Sequence, residues 1–196
     1  MRITGGQTRG RRLLGPKSSQ HFLRPTCDRV REALFNIIGE KVRGAVALDL
    51  FAGTGAWGIE ALSRGAVAVL FVDESIEAGQ LIAANIKNCM PLAQAGFVRQ
   101  RLSAASRLAF LGEKIPAPHR FDLVYLDPPY QKNLAQALLK VVEEAQILAP
   151  GALVVPEEHH STVLPARIGS LHCVDTRQYG ETALWFFTVN GQSSGT

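Results

Sequence analysis

The sequence predicts an α/β fold in which an open, mostly parallel sheet is covered by helices, ends in an antiparallel hairpin and carries a small basic N-terminal extension. Three observations predict it. Short apolar runs at residues 45–50, 66–72, 96–101, 121–126 and 152–156 alternate with helical stretches at 56–64, 75–89, 104–111 and 134–145. The first run passes through a glycine-rich turn, Gly53-Thr54-Gly55-Ala56-Trp57-Gly58, straight into a helix. After Pro156 the alternation stops, and two strand-like runs, 171–176 and 182–189, are joined around Tyr179-Gly180. Such a sheet is Rossmann-like.

Residues 1–24 read as a hairpin-like segment punctuated by Gly5-Gly6, Gly10 and Pro16. Pro25-Thr26 then starts a helix with Thr26 as N-cap. Val30, Ala33, Leu34, Ile37 and Ile38 recur at helical spacing, so that face should pack inward until Gly39 ends the helix. The expected organisation is an extension over 1–40, a catalytic domain over 41–190 and a flexible tail over 191–196.

At 196 residues, 46% hydrophobic and 19% charged, the chain should bury one substantial core. No apolar run approaches the roughly 20 residues of a membrane helix, and the N-terminus lacks a signal-like apolar stretch, so a cytoplasmic, non-membrane protein is expected. Cys27, Cys89 and Cys173 are too dispersed for a zinc site or disulfide framework and read as reduced thiols. Charge is uneven: residues 1–31 hold eight basic side chains against Asp28 alone, a net +7 that leaves −3 of the total +4 for the remainder. A basic segment on a mildly acidic body suits a phosphate backbone, with Arg9, Arg11, Arg12, Arg24, Arg29 and Arg31 as its candidate contacts. The plain alternative is a solvated arm.

Gly53-x-Gly55-x-x-Gly58 also fits the dinucleotide fingerprint, with Asp73 ending the next strand as the ribose acid. Asp49 argues against it, because a negative charge just before the glycines repels a pyrophosphate. An acid there favours a cationic ligand such as the ammonium and sulfonium groups of S-adenosylmethionine. Asp49, Phe51, Gly53, Thr54, Gly55 and Asp73 are thus the cofactor candidates. Ser103 and Ala104 are candidates to line an adenine pocket, although Ser103 equally suits a helix N-cap.

Asp127-Pro128-Pro129-Tyr130, directly after the run at 121–126, offers a carboxylate, a carbonyl stiffened by two prolines, and a flat ring. The two oxygens can each accept one N–H of a ring-conjugated amine while Tyr130 stacks on the ring. They draw the nitrogen toward tetrahedral geometry and free its lone pair for attack. The plain alternative is a strand-to-loop stop. By the rule for open parallel sheets, cofactor and acceptor sites should share the carboxyl edge of the strands. His159-His160 are adjacent on an extended chain and should face opposite sides, which is poor metal geometry, so no metal is expected.

Asp49 to Gly58 together with Asp127 to Tyr130 resembles the class I S-adenosylmethionine-dependent amino methyltransferases. Gly5-Gly6-Gln7 with Arg9-Gly10-Arg11, Leu23-Arg24-Pro25-Thr26, Asp28-Arg29-Val30-Arg31-Glu32, Leu34-Phe35-Asn36, Glu60-Ala61-Leu62-Ser63-Arg64-Gly65 and Tyr179-Gly180-x-Thr182 are similar to the RsmD family, the 16S ribosomal RNA guanine-N2 methyltransferases. The resemblance implies methyl transfer from S-adenosylmethionine to guanine N2, with Asp127, Pro128, Pro129 and Tyr130 at the acceptor. Its implied partner is 16S ribosomal RNA or the small ribosomal subunit particle, met by a monomer. Thr8 departs from the pattern, since the family often has a large residue there, and His21-Phe22 have no clear counterpart. The rival readings are a DNA adenine-N6 methyltransferase, for which there is little room for a recognition region, a protein glutamine methyltransferase, which would typically carry Asn at position 127, and a non-catalytic RNA-binding scaffold.

Overall fold

The computed structural model describes residues 1–16, 26–115, 117, 119–129 and 134–189, with Thr26 and Cys27 described in backbone only. The chain forms two compact units, 1–101 and 102–196.

In the first unit, helix α1 (Thr26–Ile38) is followed by β1 (Val46–Leu50), α2 (Ala56–Ser63), β2 (Ala68–Asp73), α3 (Ile76–Cys89) and β3 (Gln94–Arg99). The strands are parallel in the order β3-β2-β1, with Leu50 beside Val72 and Asp73 beside Arg99. Every residue of β1 is buried, as is β2 up to Val72, which is why these strands read as apolar runs, broken in β1 only by Asp49. β3 is polar and exposed at its ends. Ser75 caps α3 by accepting the Ala78 N–H.

The second unit contains β4 (Phe121–Leu126), α4 (Leu134–Glu144), β5 (Leu148–His159), β6 (Arg167–Ile168), β7 (Leu171–Tyr179) and β8 (Thr182–Val189). Their order is β4-β5-β8-β7-β6. β4 and β5 are parallel, with Leu126 beside Pro156, whereas β5, β8, β7 and β6 pair antiparallel. Ala135, Leu138, Leu139 and Val142 form the buried stripe of α4.

Several expectations need correction. Residues 104–111 are not an α-helix: a turn at 103–106 leads to a short 3-10 segment, Ala109–Lys114. β5 runs twelve residues, well beyond 152–156, and β6 was not anticipated. In α1 the inward face is rotated from the predicted one. Ile37 is 39% exposed, while Arg31 and Phe35 are buried with Val30, Leu34 and Ile38. The cause is on α2, where Trp57 stacks on Phe35 at 5.6 Å between ring centroids and Glu60 pairs with Arg31. The rings of His159 and His160 do not diverge but lie 4.4 Å apart, because β5 ends at His159 and His160 opens the turn. No helix among the described residues is long and apolar enough to cross a membrane.

Candidate functional site

The glycine turn joins β1 to α2 through three residues in the left-handed region: Phe51 (φ 62°), Gly53 (φ 53°) and Gly55 (φ 75°). For Phe51 that conformation costs on the order of 1–2 kcal/mol, strain of the kind that clusters at ligand sites. Gly58 serves packing, since a Cβ there would lie 2.3 Å from the Phe71 ring on β2. It is the third glycine that lets helix and strand approach closely.

Asp73, at the end of β2, braces this turn. Its Oδ2 accepts the Gly53 N–H at 2.9 Å and its Oδ1 the Ser75 N–H at 2.8 Å. Each oxygen retains a second lone pair, and Asp73 is half-buried, so a ribose diol can still be received. A Cβ on Gly53 would meet only the Phe51 carbonyl, at 4.0 Å, which leaves room above the turn. These features fit a nucleoside with vicinal hydroxyls.

Asp49 lies beneath the turn, 2% exposed, and its Oδ2 accepts the Gly58 N–H at 3.0 Å. Burial pushes its pKa up to about 8; the Gly58 bond opposes that shift and the negative charge of Asp73 adds to it. Its carboxyl is therefore mainly protonated at neutral pH, which weakens the charge-repulsion argument against a pyrophosphate. A different obstacle replaces it: the Gly58 N–H on the first turns of α2 is already taken by Asp49. A cation at the turn would draw Asp49 toward its ionised form.

The N-terminal segment is fixed to the same unit. An Arg2–Arg12 antiparallel bridge, with Ile3 N–H to Arg11 O and Leu13 N–H to Met1 O, closes it on itself. Ile3 and Leu13 are its apolar anchors, 1% and 7% exposed. Glu60 of α2, fully buried, is the polar anchor. Its carboxylate accepts from Thr4 N, Thr4 Oγ1, Gly5 N, Arg31 Nε and Arg64 Nε. Gly6 needs φ 78° and has no room for a side chain, because a Cβ would lie 2.0 Å from Ser63 O. Thr8 bonds Ser63 through both its N–H and its hydroxyl, a contact that suits a small polar residue at this position.

This frame sorts the arginines. Arg9, Arg11, Arg12 and Arg29 are exposed, with Arg11 donating to Asn88 O at the end of α3. Arg31 is 6% exposed and committed to Glu60, Asp28 and Arg2 O, so its guanidinium points into the protein and leaves the candidate RNA set. Arg24 and His21-Phe22 lie outside the described residues. Glu60, Ser63 and Asn85 were not singled out from sequence, although Glu60 and Ser63 stand in the Glu60–Gly65 motif that carried the resemblance.

In the second unit, Asp127, Pro128 and Pro129 follow β4 directly, with Asp127 and Pro129 exposed and Pro128 buried. Asp127 thus stands at the carboxyl end of the strand, next to a buried proline. Tyr125, two residues back, donates its hydroxyl to Glu157 of β5. Tyr130 lies outside the described residues. Ser103 caps no helix: its Oγ accepts the Ala105 N–H and its N–H donates to Ser106 Oγ, closing a local turn. Ala104 is exposed and, with Gln136, Ala137, Lys140, Val141 and Glu144 of α4, lines a shallow groove.

Comparison with known proteins agrees with this geometry. The profile of a family described as Conserved hypothetical protein 95 matches residues 1–188. The Escherichia coli K12 protein named Ribosomal RNA small subunit methyltransferase D is 39% identical over 165 residues, covering 84% of this chain and 78% of the relative. YlbH of Bacillus subtilis is 35% identical over 191 residues, covering 97% of this chain and all of YlbH. Among solved structures, yhhF from Escherichia coli superposes with a TM-score of 0.81 at 31% identity, over 98% of this chain and 99% of that one. The chain belongs to the RsmD family of methyltransferases and has the α/β fold of the class I enzymes.

Proposed function

We propose that this methyltransferase moves a methyl group from S-adenosylmethionine to the exocyclic N2 of a guanine in 16S ribosomal RNA. The observation that carries the reading is Asp127, exposed at the end of β4 and set in place by the buried Pro128. When bound, S-adenosylmethionine supplies a methyl group on a cationic sulfur, and the reaction exchanges that C–S bond for a C–N bond to the guanine.

In this reading, Asp73 takes the ribose hydroxyls, the turn of Phe51, Gly53, Thr54 and Gly55 receives the rest of the nucleoside, and Asp49 stabilises its positive charge from below. Ser103 and Ala104 are candidates for the adenine edge. Asp127 and the Pro128 carbonyl orient the amine. An arylamine N–H is far too weak an acid for a carboxylate of reference pKa about 3.9 to deprotonate beforehand. Asp127 instead accepts the proton after the nitrogen has become cationic, and passes it to solvent. Tyr130 stacks on the flipped base and offsets part of an unstacking cost of a few kcal/mol. The exposed Arg9, Arg11, Arg12 and Arg29, with Arg24, hold the RNA backbone.

Nucleoside analysis of ribosomal RNA from cells with and without this protein tests the proposal. N2-methylguanosine should fall in small-subunit RNA, and restoration should need an intact Asp127. Loss of N6-methyladenine from DNA, with ribosomal RNA unchanged, would overturn it in favour of the rival reaction.

A further inference from the structure

Asn85, in the last half of α3, is fully buried and makes three hydrogen bonds. Its Oδ1 accepts the Leu14 N–H at 2.7 Å, and its Nδ2 donates to Leu14 O at 3.1 Å and to Thr54 O at 3.0 Å. One rigid amide thus holds both backbone groups of Leu14, at the end of the arginine segment, and a carbonyl of the glycine turn. Building on the function proposed above, we infer that Asn85 is a positioning residue that couples RNA engagement by the N-terminal segment to the geometry of the cofactor turn.

The physical basis is that a primary amide has two N–H groups in one plane, and here they are divided between two carbonyls. Moving Leu14 turns that plane and lengthens the bond to Thr54. With Asn85 0% exposed, no solvent replaces a lost bond, so the two segments have one preferred joint arrangement. The same helix meets the arginine segment again one turn later, where Asn88 O accepts from Arg11 and Cys89 Sγ lies 4.0 Å from Arg12 O. Thr54 has a second neighbour in the segment, with its Oγ1 4.0 Å from Met1 Sδ. Leu14 itself is 47% exposed, so its bonds to Asn85, and not burial of its side chain, fix it in place. Two ligands that each favour one arrangement of a shared element must raise each other's affinity by the same factor.

The test measures that factor with the full-length protein. The affinity for S-adenosylhomocysteine is determined with and without saturating 16S ribosomal RNA, free or in small-subunit particles, whichever the wild type methylates. The wild-type factor should be about fivefold or more. Asn85→Asp keeps the Leu14 N–H bond but loses both donations, and should bring the factor to within twofold of unity. Leu14→Pro removes the donor to Oδ1 from an exposed position, leaves α3 intact, and should act in the same direction. A merely structural Asn85 would weaken both ligands and leave the factor unchanged in the folded variants. That result, a wild-type factor near unity, or failure of both variants to fold would overturn the inference. A wild type that methylates no ribosomal RNA would instead sink the function on which the inference rests.

Discussion

Replacing Asp49 by Asn should make the protein more stable at pH 8 and weaken its hold on S-adenosylmethionine. Burial holds the Asp49 pKa at about 8 in the folded chain, against 3.8 for the free side chain. Below pH 4 both states carry the proton and its full stabilising effect is present. As pH rises from about 4, the unfolded chain gives up its proton while the folded chain keeps it, and stability falls until the folded group ionises near pH 8. Each unit in that window is worth about 1.4 kcal/mol, so over the roughly four units the wild type loses several kcal/mol that an Asn does not. The amide oxygen can still accept the Gly58 N–H, so the turn should keep its shape. Urea unfolding at pH 5, 6, 7 and 8 reads the difference directly, and the variant's advantage should widen with pH. A cationic ligand would ionise Asp49, so binding to the wild type at pH 7 should release up to one proton, measured by calorimetry in buffers of different ionisation enthalpy. The variant should release none. A stability difference that is flat with pH would refute the account of burial, and proton-neutral binding by the wild type would refute the role of Asp49 beneath the cofactor.

Asp127→Ala should abolish methyl transfer with the S-adenosylmethionine dissociation constant within about threefold of wild type; a large loss of cofactor affinity by calorimetry would show that the acceptor carboxylate has been misassigned. Replacing Arg9, Arg11 and Arg12 by Ala removes up to three phosphate contacts, so the slope of log affinity against log salt for single-stranded RNA should fall by roughly 0.7 per lost contact. Unchanged slope and affinity would return these arginines to the status of a solvated surface. Glu60→Gln leaves Arg31 and Arg64 without their shared carboxylate and should cost on the order of 3–5 kcal/mol in urea unfolding. A loss below about 1 kcal/mol would mean that Glu60 is not the polar anchor and that Ile3, Leu13 and the bonds to Ser63 and Asn85 hold the N-terminal segment.

The sheet was legible because its buried strands are mostly apolar runs: the parallel β4 at 121–126 and the antiparallel β8 at 182–189 were predicted with the observed limits, and β1 and α2 to within one residue. The stretch 104–111 misled because Ser103 has the right chemistry for a helix cap and used it to close a turn with Ala105 and Ser106. β5 ran longer than predicted because its pairing with β8 reaches Glu157, Glu158 and His159, whose polarity gave no strand signal. At the candidate site, the glycines, Asp49, Asp73 and Asp127 stood out as candidates by their spacing, whereas the state of Asp49 did not, since a carboxylate's pKa depends on burial that no local pattern reports.

The N-terminal block shows why a sequence pattern can be specific for a family without all of it being specific for substrate. Eight basic residues in 31 look like one electrostatic unit. In the folded chain a single acid, 29 residues beyond Arg31, divides those among the described residues: Glu60 takes Arg31 inside, together with the backbone of Thr4 and Gly5, and the anchored segment leaves Arg9, Arg11 and Arg12 exposed. A buried carboxylate that accepts five donors has little tolerance for change in its partners, so Thr4, Gly5, Arg31, Glu60 and Arg64 form a linked set by geometry, and Gly6 is fixed beside them by its close approach to Ser63 O. The exposed arginines owe nothing to Glu60, although Arg11 also donates to Asn88 O, and they face the solvent where RNA would arrive. A graded test follows from that division. Arg31→Lys should lower stability and leave the salt slope of RNA binding unchanged, because one ammonium cannot replace the planar guanidinium that bonds Glu60, Asp28 and Arg2 O together. Arg9→Lys should change neither stability nor the salt slope, since a phosphate accepts either cation at an exposed site. If Arg31→Lys instead flattened the salt slope with stability intact, the division between anchor and contact would be wrong, and Arg31 would have to leave Glu60 when RNA arrives.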